Sequence, residues 1–125
     1  MQLNIEQRDG LNVVVVTGDL DTFGAERFRE SLSVVRTADR YLVSLSEVSF
    51  VDSAGLHALF GVARAAKDVG ASLAFVVPPD SPARRSVELV QLGDISPVCD
   101  TTEEAALRLG LTDVEGDSSD EGARG

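Results

Sequence analysis

The sequence predicts a single α/β domain in which an N-terminal β-hairpin precedes alternating strands and helices. Its 125 residues are the length of one domain. An Asp-Gly step at residues 9–10 separates two apolar-rich runs, which is typical of a hairpin. After the hairpin, short apolar runs alternate with segments whose apolar residues recur at helical spacing. This alternation predicts a mixed, mostly parallel sheet with helices packed on it.

The strands are predicted from runs of β-branched and other apolar residues. The hairpin strands are expected at Leu3–Gln7 and Leu11–Thr17. The unbroken run Val13–Val16 indicates burial on both faces of the sheet. The remaining predicted strands are Tyr41–Leu45, Ser72–Val77 and a short one within Ile95–Val98.

The first two helices follow from apolar periodicity and from their end signals. From Phe23 onward, apolar residues separated by Arg and Glu indicate an amphipathic helix capped by Asp21 or Thr22. The second helix ends by Gly70, which suits a left-handed C-cap. Its predicted apolar stripe comprises Leu56, Leu59, Phe60, Ala63 and Ala66.

The last two helices are predicted mainly from capping residues. Ser81 precedes Pro82, a pairing that favours a helix starting at the proline and stopping at Gly93. Thr101 and Glu104 have the spacing of a capping box, which opens a final helix. The predicted order is therefore two strands, then helix and strand in alternation, closing on a helix.

The charge balance excludes several classes of partner. The chain has 21 acidic and 11 basic side chains and a formal net charge of −10. Nucleic acid and anionic membrane surfaces bind basic patches, so neither is an expected direct partner. Residues 112–125 hold one aliphatic side chain larger than alanine, and we expect a disordered acidic tail there. The folded domain is expected to span residues 1–111.

The single cysteine and the first five residues indicate the cellular compartment in which the protein is expected. Cys99 is the single cysteine, so a disulfide framework is excluded and a buried small hydrophobic role is expected. The segment Met1–Ile5 lacks a basic region followed by an apolar one. No stretch approaches the ~18 apolar residues that span a bilayer. We therefore expect a cytoplasmic protein with no membrane association.

The most informative segment lies where the third strand gives way to the second helix. Asp52 and Ser53 are both good N-caps, and Gly55 permits close approach of another backbone. If Ser53 were the N-cap, a phosphate on its hydroxyl would be stabilised by the positive end of the helix dipole. The alternative is purely structural, with Asp-Ser as a cap and Gly55 as a packing residue.

A second polar segment, residues 18–21, ends the second strand. Because parallel strands end on one edge of a sheet, Asp19 and Asp21 are expected near Asp52 and Ser53. The plainer interpretation is that both acids serve a turn and a helix cap. A Mg²⁺-binding phosphoaspartyl receiver is disfavoured, because no lysine follows the strand at residues 72–77.

Enzymatic activity is not expected. A hydrolase would need His57 as the base for Ser53. The two residues are four apart on one helix, so the ring of His57 would need an unusual geometry to reach the Ser53 hydroxyl. The sequence lacks a Gly-rich phosphate loop, a CxxC pair and an HxxxH spacing. We therefore expect no catalytic residue, no metal and no cofactor.

Four segments, taken in order, resemble the bacterial anti-sigma factor antagonists, which are STAS domains. The resemblance extends from about Leu3 to Leu109 and implies a STAS-like fold. The segments are Thr17–Asp21, Val48–Leu56, Ser81–Arg85 and Gly93. The second is the specific one, because it contains the Asp52-Ser53-Ala54-Gly55-Leu56 signature.

The resemblance implies a phosphorylation-controlled partner switch. In this family an anti-sigma factor that is also a serine kinase phosphorylates the serine matching Ser53. The unphosphorylated antagonist binds the anti-sigma factor and releases the sigma factor, and a PP2C-type phosphatase restores the binding form. The implied partner-binding residues are Asp19, Asp21, Asp52, Ser53, Ala54, Gly55 and Leu56. A monomer or weak dimer is expected.

Two departures and one alternative accompany the resemblance. Ala54 stands where many members have Ser or Thr, and Asp19 replaces a more frequent Glu. These changes bear on which partner is recognised rather than on the switch. The alternative is a scaffolding or sensory STAS module of a larger stress-signalling complex, in which Ser53 tunes assembly.

Overall fold

The computed structural model describes residues 1–8, 10–32 and 39–110. The expected acidic tail at residues 112–125, and with it the domain end at residue 111, lies outside the described residues. The strands are β1 (Gln2–Arg8), β2 (Leu11–Leu20), β3 (Arg40–Val51), β4 (Ser72–Val76) and β5 (Val98–Cys99). The helices are α1 (Thr22–Ser31), α2 (Ser53–Val69), α3 (Arg84–Leu89), a 3₁₀ turn (Leu92–Asp94) and α4 (Thr102–Arg108).

The sheet confirms the predicted fold class. Its strands lie in the order β1-β2-β3-β4-β5, with β1 antiparallel to β2 and the other neighbours parallel. Gly10, just after β1, has φ +81°, a backbone conformation that glycine adopts easily. The hairpin prediction is therefore confirmed, and the parallel strands all end on the same edge.

Helices cover both faces of the sheet. Phe28 of α1 and Leu59 of α2 share the larger core with Phe75 of β4, and all three are fully buried. On the other face, α4 packs against β3, β4 and Cys99. Cys99 is buried, as predicted, and burial raises the pKa of its thiol. Within the described ranges, no helix is both long enough and apolar enough to cross a membrane.

The central strands form where they were predicted, although β3 continues six residues beyond the predicted end at Leu45. The strand predictions fail at two other points. In the run predicted to be buried on both faces, Val14 and Val16 are fully buried but Val13 and Val15 are only half-buried. The last strand, β5, overlaps the predicted 95–98 range at Val98 alone. The reason is that the N–H groups of Ile95 and Ser96 donate to the carbonyl of Leu92, which continues the 3₁₀ turn.

The third helix differs most from its prediction. Pro82 lies in a turn, because the carbonyl of Ser81 accepts from Arg84 N–H at 3.0 Å, and α3 starts only at Arg84. The helix also ends early. Gln91 has φ +58°, which ends the helical backbone before Gly93. The prediction of a helix from Pro82 to Gly93 was therefore wrong at both ends.

The other helix ends follow the sequence closely. Gly70 caps α2 in the left-handed conformation, with φ +78°. Thr101 caps α4 by accepting from Glu104 N–H at 3.1 Å, as predicted. The return bond of the capping box differs, because the Glu104 carboxylate accepts from the N–H of Asp100 rather than Thr101.

Candidate functional site

The turn between β3 and α2 is organised by Asp52. Its backbone is extended, and its Oδ1 accepts from the N–H of Gly55 at 2.9 Å. Asp52 is therefore the N-cap, and Ser53 is the first helical residue. The possibility that Ser53 is the cap was wrong, because the aspartate one residue earlier already occupies that position.

The turn between β2 and α1 has the same construction. Asp21 is the N-cap of α1, and its Oδ1 accepts from Gly24 N–H at 3.0 Å. In both turns an aspartate caps the helix and a buried glycine follows three residues later. The plainer interpretation of Asp21, that it is a cap, is thus correct.

The two turns are joined directly. The N–H of Asp52 donates to the carbonyl of Leu20 at 3.4 Å. A Cβ added at Gly55 would overlap that carbonyl oxygen and lie 3.0 Å from Leu20 Cγ. Gly55 therefore has a packing role, because only glycine lets α2 start this close to the end of β2.

Irregular pairing brings the turns level with each other. The β2–β3 register shifts between Val15 and Thr17 and again between Gly18 and Asp19. After the second shift Asp19 pairs with Phe50, so that β2 and β3 end together. Bulges of this kind re-aim side chains at the end of a strand. The predicted proximity of the two turns is correct, and it depends on these shifts.

Ser53 is exposed at the junction. Its hydroxyl makes no hydrogen bond with any residue that the structure describes, and this includes His57. Ala54 and Leu56 are half-buried, while Gly55 is buried. The signature thus presents one free hydroxyl above a tightly packed base.

The acidic residues are placed nearby but do not form a metal site. Asp19 is exposed, whereas the carboxylates of Asp21 and Asp52 are held by their helix caps. Among residues 1–8, 10–32 and 39–110, no group of three or more His, Cys, Asp or Glu side chains is arranged to hold a metal ion. The arrangement supplies negative surface charge around Ser53.

Two aromatic residues at this surface are exposed although the sequence did not predict their exposure. Phe23, expected on the buried face of α1, is 82% exposed, and Phe50 is 52% exposed. Only the exposure of Phe23 was detectable from the sequence. Phe23 and Phe28 are five residues apart, which places them about 140° apart around a helix. The exposure of Phe50 depends on the irregular β2–β3 pairing just before it, because strict alternation would place Phe50 on the same face as buried Val48.

Arg84, in the third resembling segment, holds the neighbouring part of the sheet edge together. Its guanidinium donates to the Val77 carbonyl at 2.7 Å, to Asp100 at 2.6 Å and to Glu88 at 2.8 Å. The pKa of Arg84 is raised, mainly by the hydrogen bond to Glu88 and next by the hydrogen bond to Asp100. Its role is to connect α3, the end of β4 and the segment before α4.

Comparison with known proteins agrees with this geometry. A family model described as the STAS domain matches residues 2–105. An anti-sigma F factor antagonist of Paenibacillus polymyxa is 25% identical over 112 residues, which cover 87% of this chain and 95% of that protein.

Solved structures share the fold as well. An anti-sigma factor antagonist from Mycobacterium paratuberculosis has 25% identity and a TM-score of 0.70, covering 87% of this chain and 93% of its own. The Bacillus cell fate determinant SpoIIAA in its phosphorylated form has 24% identity and a TM-score of 0.59, covering 86% and 99%. These matches extend over nearly all of the residues described above.

Proposed function

The chain belongs to the STAS domain family, and from that premise we propose that it is an anti-sigma factor antagonist controlled by phosphorylation of Ser53. In this proposal the unphosphorylated protein binds an anti-sigma factor of the serine kinase type and releases the sigma factor. A PP2C-type phosphatase restores the binding form. The role is regulatory and non-enzymatic.

The observation that carries the proposal is the free hydroxyl of Ser53. Because Asp52 supplies the helix cap, the Ser53 hydroxyl is available to a kinase without disturbing the fold. A phosphate at the first residue of α2 lies at the positive end of the helix dipole, where it is tolerated. Phosphorylation would therefore change the charge of the surface and leave the turn intact.

The names of the relatives support the same conclusion. One is an anti-sigma F factor antagonist and another is an anti-sigma factor antagonist. SpoIIAA exists in a phosphorylated form. Together with the exposed serine, these support a protein that alternates between phosphorylated and unphosphorylated states.

The charge change accounts for the switch. Asp19, Asp21 and Asp52 already make the surface negative. A phosphate adds between about 1.5 and 2 further negative charges at pH 7. Burying that group in an interface matched to the unphosphorylated surface costs several kcal/mol. Each 1.4 kcal/mol is a factor of ten in affinity, so binding is switched off without refolding.

Isothermal titration calorimetry with the cognate anti-sigma factor tests the switch. We expect Ser53→Ala to bind nearly as well as the unsubstituted protein and Ser53→Asp to bind at least about 100-fold more weakly. Thr102→Asp is the matched control, because it adds the same charge at the first residue of α4. Undiminished binding of the Ser53→Asp protein would refute the switch.

Phosphate transfer is tested separately by incubation with the anti-sigma factor and ATP, followed by mass spectrometry. We expect phosphate on Ser53. Phosphate on Ser118 or Ser119 with none on Ser53 would contradict the assignment. Size-exclusion chromatography addresses the scaffold alternative, since a stable high-mass assembly of the purified chain would favour it over the antagonist.

The exposed aromatic residues extend the proposed binding surface. Phe23 follows the Asp21 cap by two residues, and Phe50 precedes the Asp52 cap by two. Exposed aromatic side chains commonly dominate interface energy. We expect Phe23→Ser and Phe50→Ser each to weaken binding about tenfold while the free energy of unfolding changes little. Leu89→Ser on α3, where the side chain is also exposed, is the control and should bind normally.

A further inference from the structure

A second candidate site lies at the amino-terminal edge of the parallel strands. It is a cavity of about 240 Å³ formed by the last turns of α2 and α4, the start of β4 and the segment before β5. Lys67 lies in the cavity wall, 14 residues after Ser53 on the same helix. At about 1.5 Å per residue the two positions are about 21 Å apart. The cavity is thus separate from the proposed phosphorylation site.

Two cationic side chains, those of Lys67 and Arg108, line this cavity. Lys67 and Arg108 are exposed, and neither forms an ion pair with any residue in the described part of the chain. The carboxylate of Glu104, one turn before Arg108 on α4, accepts a hydrogen bond from Asp100 N–H. In a chain of net charge −10, these two are the charged residues that the described part of the chain contributes to the cavity wall, and they make that wall positive.

Two of the carbonyls at the end of α2 are already hydrogen-bonded within the chain, which reduces the repulsion of an anion there. Helix C-termini normally present free carbonyls, which repel negative charge. Here the carbonyl of Ala66 accepts from Ala71 N–H at 2.8 Å, and that of Lys67 accepts from Gly70 N–H at 3.2 Å. These two carbonyls are therefore already occupied.

Two serines add hydrogen-bond donors. Ser96 lines the cavity and is only 5% exposed, yet its hydroxyl has no partner among the described residues. Buried hydroxyl groups nearly always have a partner, so this one calls for a ligand or a water. Ser72 lies in the exposed part of the same wall, and its hydroxyl is likewise unbonded within the described ranges. Ala71, Ile95 and Pro97 also line the cavity, and these half-buried residues supply an apolar surface.

We propose that this cavity binds a phosphate group, either free phosphate or a small phosphate monoester. Two cations match the charge of a phosphate dianion, whereas a carboxylate would leave one cation uncompensated. The two hydroxyls donate to the remaining phosphate oxygens. The open cavity of about 240 Å³ has room for a phosphate whose short apolar substituent lies on the apolar part of the wall.

Nuclear magnetic resonance titration of the full chain tests this site. The ¹⁵N-labelled protein is titrated at constant ionic strength and pH 8 with inorganic phosphate, and in parallel with phenyl phosphate. We expect saturable shifts of the Ser72, Ser96 and Leu109 amides, with a Kd below about 10 mM. Tighter binding of phenyl phosphate identifies a monoester site, and equal binding identifies a phosphate site. Shifts that fail to saturate with either compound would overturn the proposal.

Matched variants separate a built site from general charge attraction. Lys67→Gln and Arg108→Gln should each weaken phosphate binding about tenfold. Arg64→Gln removes one exposed positive charge from the same helix without touching the cavity, and it should leave the affinity unchanged. Equal loss of affinity in the Arg64→Gln protein would refute the site. Ser96→Ala should weaken binding severalfold, and an unchanged affinity would refute the role of that hydroxyl.

Discussion

Alanine at Gly55 would test whether the two turns of the candidate site are held together by close backbone packing. The added Cβ would overlap the Leu20 carbonyl oxygen and crowd Leu20 Cγ at 3.0 Å. That carbonyl cannot move freely, because it ends β2 and accepts from Asp52 N–H. Overpacking of this kind costs about 1–3 kcal/mol, and loss of the hydrogen bond adds about 1 kcal/mol. The higher helix propensity of alanine offsets about 0.5–1 kcal/mol of this loss in stability.

The expected net effect of Gly55→Ala is a loss of about 1–3.5 kcal/mol of stability. Gly61→Ala is the matched control, since it lies on the same helix and its added Cβ meets nothing within 4 Å. The control should gain about 0.5–1 kcal/mol from helix propensity alone. Urea unfolding followed by circular dichroism gives the free energy of unfolding of both proteins. The dependence of this free energy on urea concentration should be the same in both. If Gly55→Ala is as stable as Gly61→Ala, the packing argument is wrong.

Three further predictions follow from single contacts. In urea unfolding, Asp52→Ala should lower the free energy of unfolding by about 1 kcal/mol and Ser53→Ala should hardly change it, because only the aspartate caps α2. Equal losses would contradict the cap assignment. Arg84→Gln should lower the free energy of unfolding by about 1–2 kcal/mol, because only Arg84 joins α3 to the end of β4. The exposed control Arg85→Gln should change it little. Similar stability of the two variants would contradict this role of Arg84. Burial raises the pKa of the Cys99 thiol, and this thiol should react with a thiol reagent only when the protein unfolds. The free energy of unfolding should fall as the pH rises above the ordinary thiol pKa, because only the unfolded thiol ionises there. Rapid labelling of the native protein would contradict its burial.

Local signals in the sequence sufficed for much of the fold and for the position of the candidate site. The Asp-Gly step predicted the hairpin, and alternating periodicity predicted the mostly parallel sheet. The cap at Thr101 and the end of α2 at Gly70 were also predicted, and Asp21 was one of the two predicted caps of α1. Each of these features depends on residues within one turn of chain. Ser53 was expected at the start of a helix, and it lies there.

Features that depend on distant segments were decided by the tertiary structure. Gly55 is required because Leu20, 35 residues earlier, ends beside it, and the register shifts in β3 bring the two turns level. The 3₁₀ turn displaced the last strand to pair with Phe75. Exposure of Phe50 and the facing of Lys67 and Arg108 across one cavity likewise depend on packing between elements. Capping and periodicity act over a few residues, whereas packing, register and cavities form only when the elements meet.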